Sequence, residues 1–250
     1  MADVCQIRWL GQIEFKAGLK LQRELVAQRA ADQIPDTLLL AEYPHTYTIG
    51  LEGHRQYLLA NQDELARQNI AYHEVDRGGS VTYHGPGQLV GSVILDLKRH
   101  GQNYHTYLSK LESVIIRTLR HFKIHAFRQP GQRGIWVMPS APRPAYLPQW
   151  VETNDHVAKI CCVGVKVNEV LITSYGFSLN ISTNLEYFCP IVPRGIHSCK
   201  VTSLQQILNK PVKIGMAIEP VIQSFCEVFE LEPLILNMLP QTEGATLVLS

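Results

Sequence analysis

Between Asp76 and Val90 the chain sets four glycines around an arginine, a tyrosine and a histidine, in the run Asp76-Arg77-Gly78-Gly79-Ser80-Val81-Thr82-Tyr83-His84-Gly85-Pro86-Gly87-Gln88-Leu89-Val90. Glycine has no Cβ, so such a backbone can take positive φ and bring its amides against a ligand, while Pro86 stiffens the turn between Gly85 and Gly87. The stretch from Leu89 to Leu97 continues as an apolar run rich in Val, Ile and Leu, as a buried strand would. A polar loop is thereby anchored to the core. An ordinary turn between two strands uses the same residues as punctuation, but the pairing of Arg-Gly-Gly with Thr-Tyr-His-Gly-Pro-Gly favours a substrate-binding loop.

The rest of the chain bounds what that loop can serve. Its 250 residues suffice for one substantial domain with a single core. A hydrophobic content of 46%, a charged content of 18% and a net charge of +1 describe an ordinary globular protein and give no sign of a nucleic-acid groove. No apolar run approaches the roughly 20 residues needed to span a bilayer, and the start Met-Ala-Asp-Val-Cys lacks a basic region followed by an apolar signal core. A cytoplasmic location is therefore expected. Six cysteines, at 5, 161, 162, 189, 199 and 226, lack the spacing of a disulfide framework or a Cys-x-x-Cys site, and reduced thiols are expected.

Hydrophobic periodicity predicts helices over Ile13 to Ala30, Tyr104 to about His121, and about Met216 to Phe229. Strands are predicted over Thr37 to Ala41, Thr46 to Ile49 and Ile135 to Met138. A hairpin of Ile160 to Val167 with Val170 to Ile181 turns at Asn168-Glu169. Pro139, Pro142, Pro144 and Pro148 mark residues 139–157 as a surface insertion. Helices and strands mix without regular βαβ alternation, which predicts an α+β fold with helices against one face of a sheet.

Several motifs in order carry a family resemblance. The run Arg77 to Gln88, then Gly134-Ile135-Trp136-Val137, Lys159-Ile160-Cys161-Cys162-Val163-Gly164-Val165, Tyr175-Gly176-Phe177-Ser178-Leu179-Asn180, Ile191-Val192-Pro193 and Val201-Thr202-Ser203-Leu204 together resemble the octanoyltransferases of lipoate biosynthesis. These are relatives of lipoate-protein ligases and of the biotin protein ligase catalytic domain, and the matches span nearly the whole chain. The resemblance implies that fold, with mixed sheets and packed helices. It also implies a cysteine nucleophile held as an acyl-thioester, with a lysine as its acid/base partner.

Lys159 matches the family lysine. The cysteine does not match: it directly follows the Ile-Val-Pro proline and precedes a glycine in the family, and that position here is Arg194, between Pro193 and Gly195. Cys199 lies five residues further on, flanked in sequence by Arg194, His197 and Lys200, and positive neighbours lower a thiol pKa. Thr202 with Gln205 is a candidate capping box for a helix opening at about Ser203, which would set Cys199 ahead of a helix dipole. Cys199 is therefore the expected nucleophile, with Cys189 and Cys162 as rivals and a buried, inert thiol as the plain alternative. Lys159 would stabilise the thiolate and, with its own pKa lowered by burial, take a proton from the incoming amine.

Arg77, Gly78, Gly79, Ser80, Val81, Thr82, Tyr83 and His84 are expected to bind substrate, with Cys162, Val163, Gly164, Gly176, Phe177 and Ser178. His84 is a candidate to orient the acyl carbonyl or to complete a hydrogen-bond network. The amides of Gly78, Gly79, Gly164 and Gly176 are candidates to meet the thioester oxygen as it gains charge. Tyr83, Val163 and Phe177 are candidate walls for the acyl chain.

The expected reaction is octanoyl transfer from octanoyl-acyl carrier protein, through Cys199, to a lysine of lipoyl domains. The acceptors implied are 2-oxoacid dehydrogenases and the glycine cleavage H protein, with no metal, nucleotide or other cofactor and no nucleic acid or membrane partner. Arg77, Arg194 and Lys200 would supply local positive charge for these acidic partners. Two other readings stand beside it: an ATP-dependent lipoate or biotin ligase, and a non-catalytic acyl-binding homologue, the latter because of Arg194.

Overall fold

The computed structural model of the protein describes residues 3–138, 157–192 and 200–237. In chain order these form β1 (Asp3–Gln12), α1 (Phe15–Ala30), β2 (Asp36–Glu42), β3 (Thr46–Ile49), α2 (Gln62–Arg67), β4 (Ala71–Glu74), β5 (Val81–His84), β6 (Gln88–Ile94) and α3 (Tyr104–His121). There follow β7 (Ala126–Gln129), β8 (Gln132–Val137), β9 (Ala158–Val167), β10 (Thr173–Asn180), α4 (Leu204–Leu208), α5 (Gly215–Phe229) and β11 (Leu231–Asn237). The expected mixed α+β architecture holds.

Eight strands make one sheet in the order β11-β1-β2-β6-β10-β9-β8-β7, and β4-β3-β5 make a second, smaller one. β1 runs parallel to β11 and β2, while every pair from β2 to β7 is antiparallel. The glycine-rich segment is the junction between the sheets: it enters through β5, turns at Gly85-Pro86-Gly87, and leaves as β6 in the middle of the large sheet.

Strand alternation decides the layers, because successive side chains point to opposite faces. Leu38 and Leu40 join Leu89, Val93 and Leu95 in the main core against α3 and α5, whereas Leu39 and Ala41 face the other way, towards the α1 side. Helices therefore cover both faces, and the expectation of a single covered face is corrected. The apolar composition of β2 (Thr37 to Ala41, all buried) is the signature of a strand buried on both sides.

α3 forms because Tyr107, Leu111, Val114, Ile115, Thr118 and Leu119 recur at helical spacing and are all buried. Its start is fixed by Asn103, whose side chain accepts the Thr106 amide at 2.9 Å. Each fully buried Leu, Ile or Val on this face contributes about 1.5–3 kcal/mol by leaving water. The predicted hairpin turn is longer than its sequence suggested, since Asn168 Oδ1 accepts from the amides of Val170 and Ile172 and holds the chain until β10 begins at Thr173. The N-cap of α4 is Ser203 rather than Thr202, with its hydroxyl accepting the Gln206 amide at 3.2 Å.

One buried ion cluster ties the first helix to the sheet. Arg29 near the end of α1 donates from Nε to Asp36 Oδ1 at 2.8 Å, and His100 Nε2 meets the other carboxylate oxygen. These hydrogen bonds hold the Asp36 carboxyl below the usual carboxylate range although burial opposes them. Removing one partner would strand a buried charge. Asp36→Ala is expected to cost about 3–5 kcal/mol, read as the loss of unfolding free energy in urea titration.

Candidate active site

A cavity of about 920 Å³ opens on the α1 side of the large sheet. Its wall combines apolar side chains, among them Phe15 and Leu19 of α1, Tyr43, Val75 and Val90, with Arg77, Thr82, His84, Lys159, Cys162 and Lys200. That size falls in the range of about 300–1,000 Å³ usual for small-molecule pockets, and the lining suits a ligand with an apolar body and a polar head. Gly79, Ser80, Val81, Val163, Gly164, Gly176, Phe177 and Ser178 also line it, so most of the residues predicted to bind substrate do converge.

The glycine-rich loop sits directly on β9. Gly78 donates its amide to Val165 O at 2.9 Å, and a Cβ on Gly164 would stand 2.9 Å from Gly78 O and 3.3 Å from Arg77 Cδ. Only glycine permits that approach. Gly79 holds φ +88, and its amide bonds Glu52 Oε1 at 3.1 Å. The amides of Gly78 and Gly79 are thus already used, which corrects the expectation that they meet the thioester oxygen.

Arg77 is buried beneath this loop, 8% exposed. Its guanidinium bonds Thr48 O and Oγ1 at 2.9 and 2.8 Å, Ser80 O at 3.0 Å and Gly78 O at 3.0 Å, while Nε has no hydrogen-bond partner. All four acceptors are neutral. Burial pushes the guanidinium down to about 10, so it stays a cation at neutral pH.

From Arg77 a buried polar chain runs across the site. Thr48 Oγ1 lies 3.2 Å from His84 Nε2, His84 Nδ1 lies 2.8 Å from Gln88 Oε1, Gln88 Nε2 donates to Asn180 Oδ1 at 2.9 Å, and Asn180 Nδ2 donates to Thr202 O at 3.0 Å. The donors assign the tautomer: Gln88 gives its amide hydrogens to Asn180 and Tyr83 O, so its oxygen accepts from His84 Nδ1–H, and His84 Nε2 accepts from the Thr48 hydroxyl. Burial, and then the Arg77 charge, push His84 down to about 4. It is a neutral positioning residue with both ring nitrogens engaged, which selects the network role among the two expected for it.

Lys159 stands on the same floor because of a β-bulge. Ile135 pairs with Cys161 but Trp136 pairs with Lys159, so Ile160 is the extra residue. Ile160 and Cys161 both enter the main core, and Lys159, Cys162 and Gly164 all reach the cavity. Lys159 Nζ lies 4.6 Å above the centre of the Trp136 ring, a cation–π contact, and its backbone is bonded to Lys200 O and Thr202 N at 2.8 and 2.9 Å. Thr82 Oγ1 lies 3.7 Å from Cys162 Sγ.

Tyr83 departs from expectation: it is fully buried away from the wall, its hydroxyl 2.6 Å from His45 Nδ1 and its ring stacked on Tyr187 at 5.0 Å. Val163 and Phe177 belong to the main core as well as the wall. Of the other thiols, Cys161 is buried and pushed up by burial, while Cys189 is exposed and also lines the cavity. Cys199 and Arg194, and all of the insertion but Val157, lie outside the described residues. On either side of residues 193–199, Ile191 and Lys200 line the cavity. Sequence reasoning missed Trp136 as the seat of Lys159, and also Thr48, Gln88 and Asn180; the last two, closing matched motifs at the ends of apolar strands, were the available signal. Among the described residues no group of three or more His, Cys, Asp or Glu side chains is arranged to hold a metal ion.

A family model described as the lipoyl protein ligase A/B catalytic domain matches residues 15–226. An octanoyltransferase of Chloroflexus aurantiacus is 38% identical over 227 residues, covering 91% of this chain and 95% of that protein. One from Geobacter metallireducens is 41% identical over 209 residues, covering 84% and 86%. Among solved structures, a bipartite lipoate protein ligase from Thermoplasma acidophilum aligns with a TM-score of 0.66 at 13% identity, covering 95% of this chain and 88% of the other. A lipoate-protein ligase A bound with ATP aligns with a TM-score of 0.62 at 14% identity, covering 95% and 90%. These two likenesses concern the fold.

The suppressed basicity of His84 predicts a pH effect. An unfolded chain protonates this imidazole near pH 6.5 and the folded one only near 4, so stability present above that window is lost as pH falls through it, by up to about 1.4 kcal/mol per pH unit. Denaturant titrations from pH 7 to 4.5 should show that slope, and His84→Gln should flatten it.

Proposed function

The chain belongs to the lipoyl protein ligase A/B catalytic-domain family, in its octanoyltransferase branch, and from that premise we propose that it moves an octanoyl group from octanoyl-acyl carrier protein to a specific lysine of lipoyl domains. The acceptors on this reading are the lipoyl domains of 2-oxoacid dehydrogenases and the glycine cleavage H protein. The observation that carries it is a single cavity whose wall combines apolar side chains with cationic groups and a thiol. The apolar side chains suit an eight-carbon chain and the polar groups suit the thioester at its end.

The transfer proceeds in two steps. The octanoyl carbonyl passes from the phosphopantetheine sulfur to a cysteine, with Cys199 as nucleophile, and then to the acceptor amine. Lys159 carries the proton between them, held over Trp136 and bonded through its backbone to the segment from Lys200 to Thr202. Arg77 and Lys200, both buried, supply positive charge inside the cavity rather than a surface patch for acidic carrier domains. Among the described residues no helix is long and apolar enough to cross a membrane, and the enzyme on this reading works in the cytoplasm.

Purified protein mixed with octanoyl-acyl carrier protein and an apo lipoyl domain, without ATP, should add one octanoyl group to the acceptor by mass spectrometry. No gain would remove the transferase reading, and incorporation of free octanoate only with ATP would replace it by the ligase one. Lys159→Ala should slow the transfer about 100-fold or more, the usual range for removing an acid/base group.

A further inference from the structure

The cavity holds a thiol that the reaction so far leaves unused. Cys162 lies on the floor only because the bulge at Ile160 turns it there; without that extra residue, strand alternation would set it on the face opposite Lys159. Its neighbour Cys161 shows the other outcome, fully buried in the core. Cys162 is half-buried, it receives the Thr82 hydroxyl at 3.7 Å, and it stands opposite Ser178 in the β9–β10 register.

The second observation is a buried cation in the same cavity. Arg77 lies over Gly164, two residues along the same strand, with Cδ 3.3 Å and Nη1 3.6 Å from where a Cβ would stand. It is more than nine-tenths buried, its hydrogen-bond acceptors are all neutral, and its Nε is unpartnered. A guanidinium buried in this way favours negative charge beside it.

We propose that Cys162 is an acyl-accepting thiol of this cavity, taking the octanoyl group from a donor thioester at its own sulfur. This rests on the octanoyl-transfer reading and adds a second covalent site to it. The Cys162 thiol gives up its proton and its sulfur attacks the octanoyl carbonyl carbon. A carbon–sulfur bond to Cys162 forms as the bond to the donor sulfur breaks, and the donor leaves as a thiol carrying the proton. An acceptor amine then attacks the same carbon, an amide forms, the bond to Cys162 breaks, and the amine proton returns the sulfur to its thiol.

The test uses the full chain with octanoyl-pantetheine thioester, rapid acid quench, and peptide mapping of the adduct in the parent protein, Cys162→Ser and Cys199→Ser. The adduct should map to Cys162, disappear from that peptide in C162S and persist there in C199S. Circular dichroism and a Cys162→Ala variant check that any loss is not a folding defect. An adduct that never maps to Cys162, or that is unchanged in C162S, overturns the proposal. Amide formation on an apo lipoyl domain, followed in the same samples, reports separately on octanoyl transfer, so transfer without a Cys162 adduct sinks this inference alone.

Discussion

The contact on which the site depends is a backbone approach: the glycine-rich loop lies on β9 with Gly78 N 2.9 Å from Val165 O, over a Gly164 that has no side chain to hold it off. With the loop that close, Arg77 cannot project outward and is threaded beneath it, where its guanidinium ties Thr48 of the small sheet to the carbonyls of Gly78 and Ser80. The two sheets are thus joined at the cavity by one cation and one missing methyl group. Any side chain at 164 would push against a peptide oxygen, which has no rotamer with which to yield.

Electrostatics follow from that burial. A guanidinium with neutral hydrogen-bond partners is lowered by burial to about 10 and still stays a cation at neutral pH. The neighbouring imidazole cannot compete for protons, because burial and the same cation hold it neutral. His84 instead relays order, from Thr48 through Gln88 and Asn180 to Thr202, on the segment that returns beside Lys159. A polar chain with every link satisfied rigidifies what it crosses.

Much of the fold was legible in the residues. The amphipathic spacing of Tyr107, Leu111, Val114 and Leu119 marks α3, and its bounds agree with the expected ones because Asn103 caps the start. The apolar run after the glycine-rich loop marks β6. What escaped were β1, β4, β5, β7 and β11, along with α2. Strands such as Ala71–Glu74 and Ala126–Gln129 are only partly buried and carry little apolar alternation, so their pairing partners define them more than their composition does. The coverage of both faces by helices was equally hidden, since a strand apolar on both sides does not say which helix covers which side.

The chain by itself determined the glycine-bearing loop, the ordered motifs that give the family, and the presence of Lys159, Cys162 and Arg77 as reactive or charged groups, because these are matters of residue identity and spacing. The tertiary structure alone decided which way they point. One extra residue in β9 reverses the alternation and brings Lys159 and Cys162 to the same side. The hydrogen bonds around His84 remove it from proton transfer, and Tyr83 turns into the small sheet's core rather than the cavity. A period of two can be counted along a sequence, but a bulge and a tautomer are settled by the partner across the gap, and that partner lies far away in the chain.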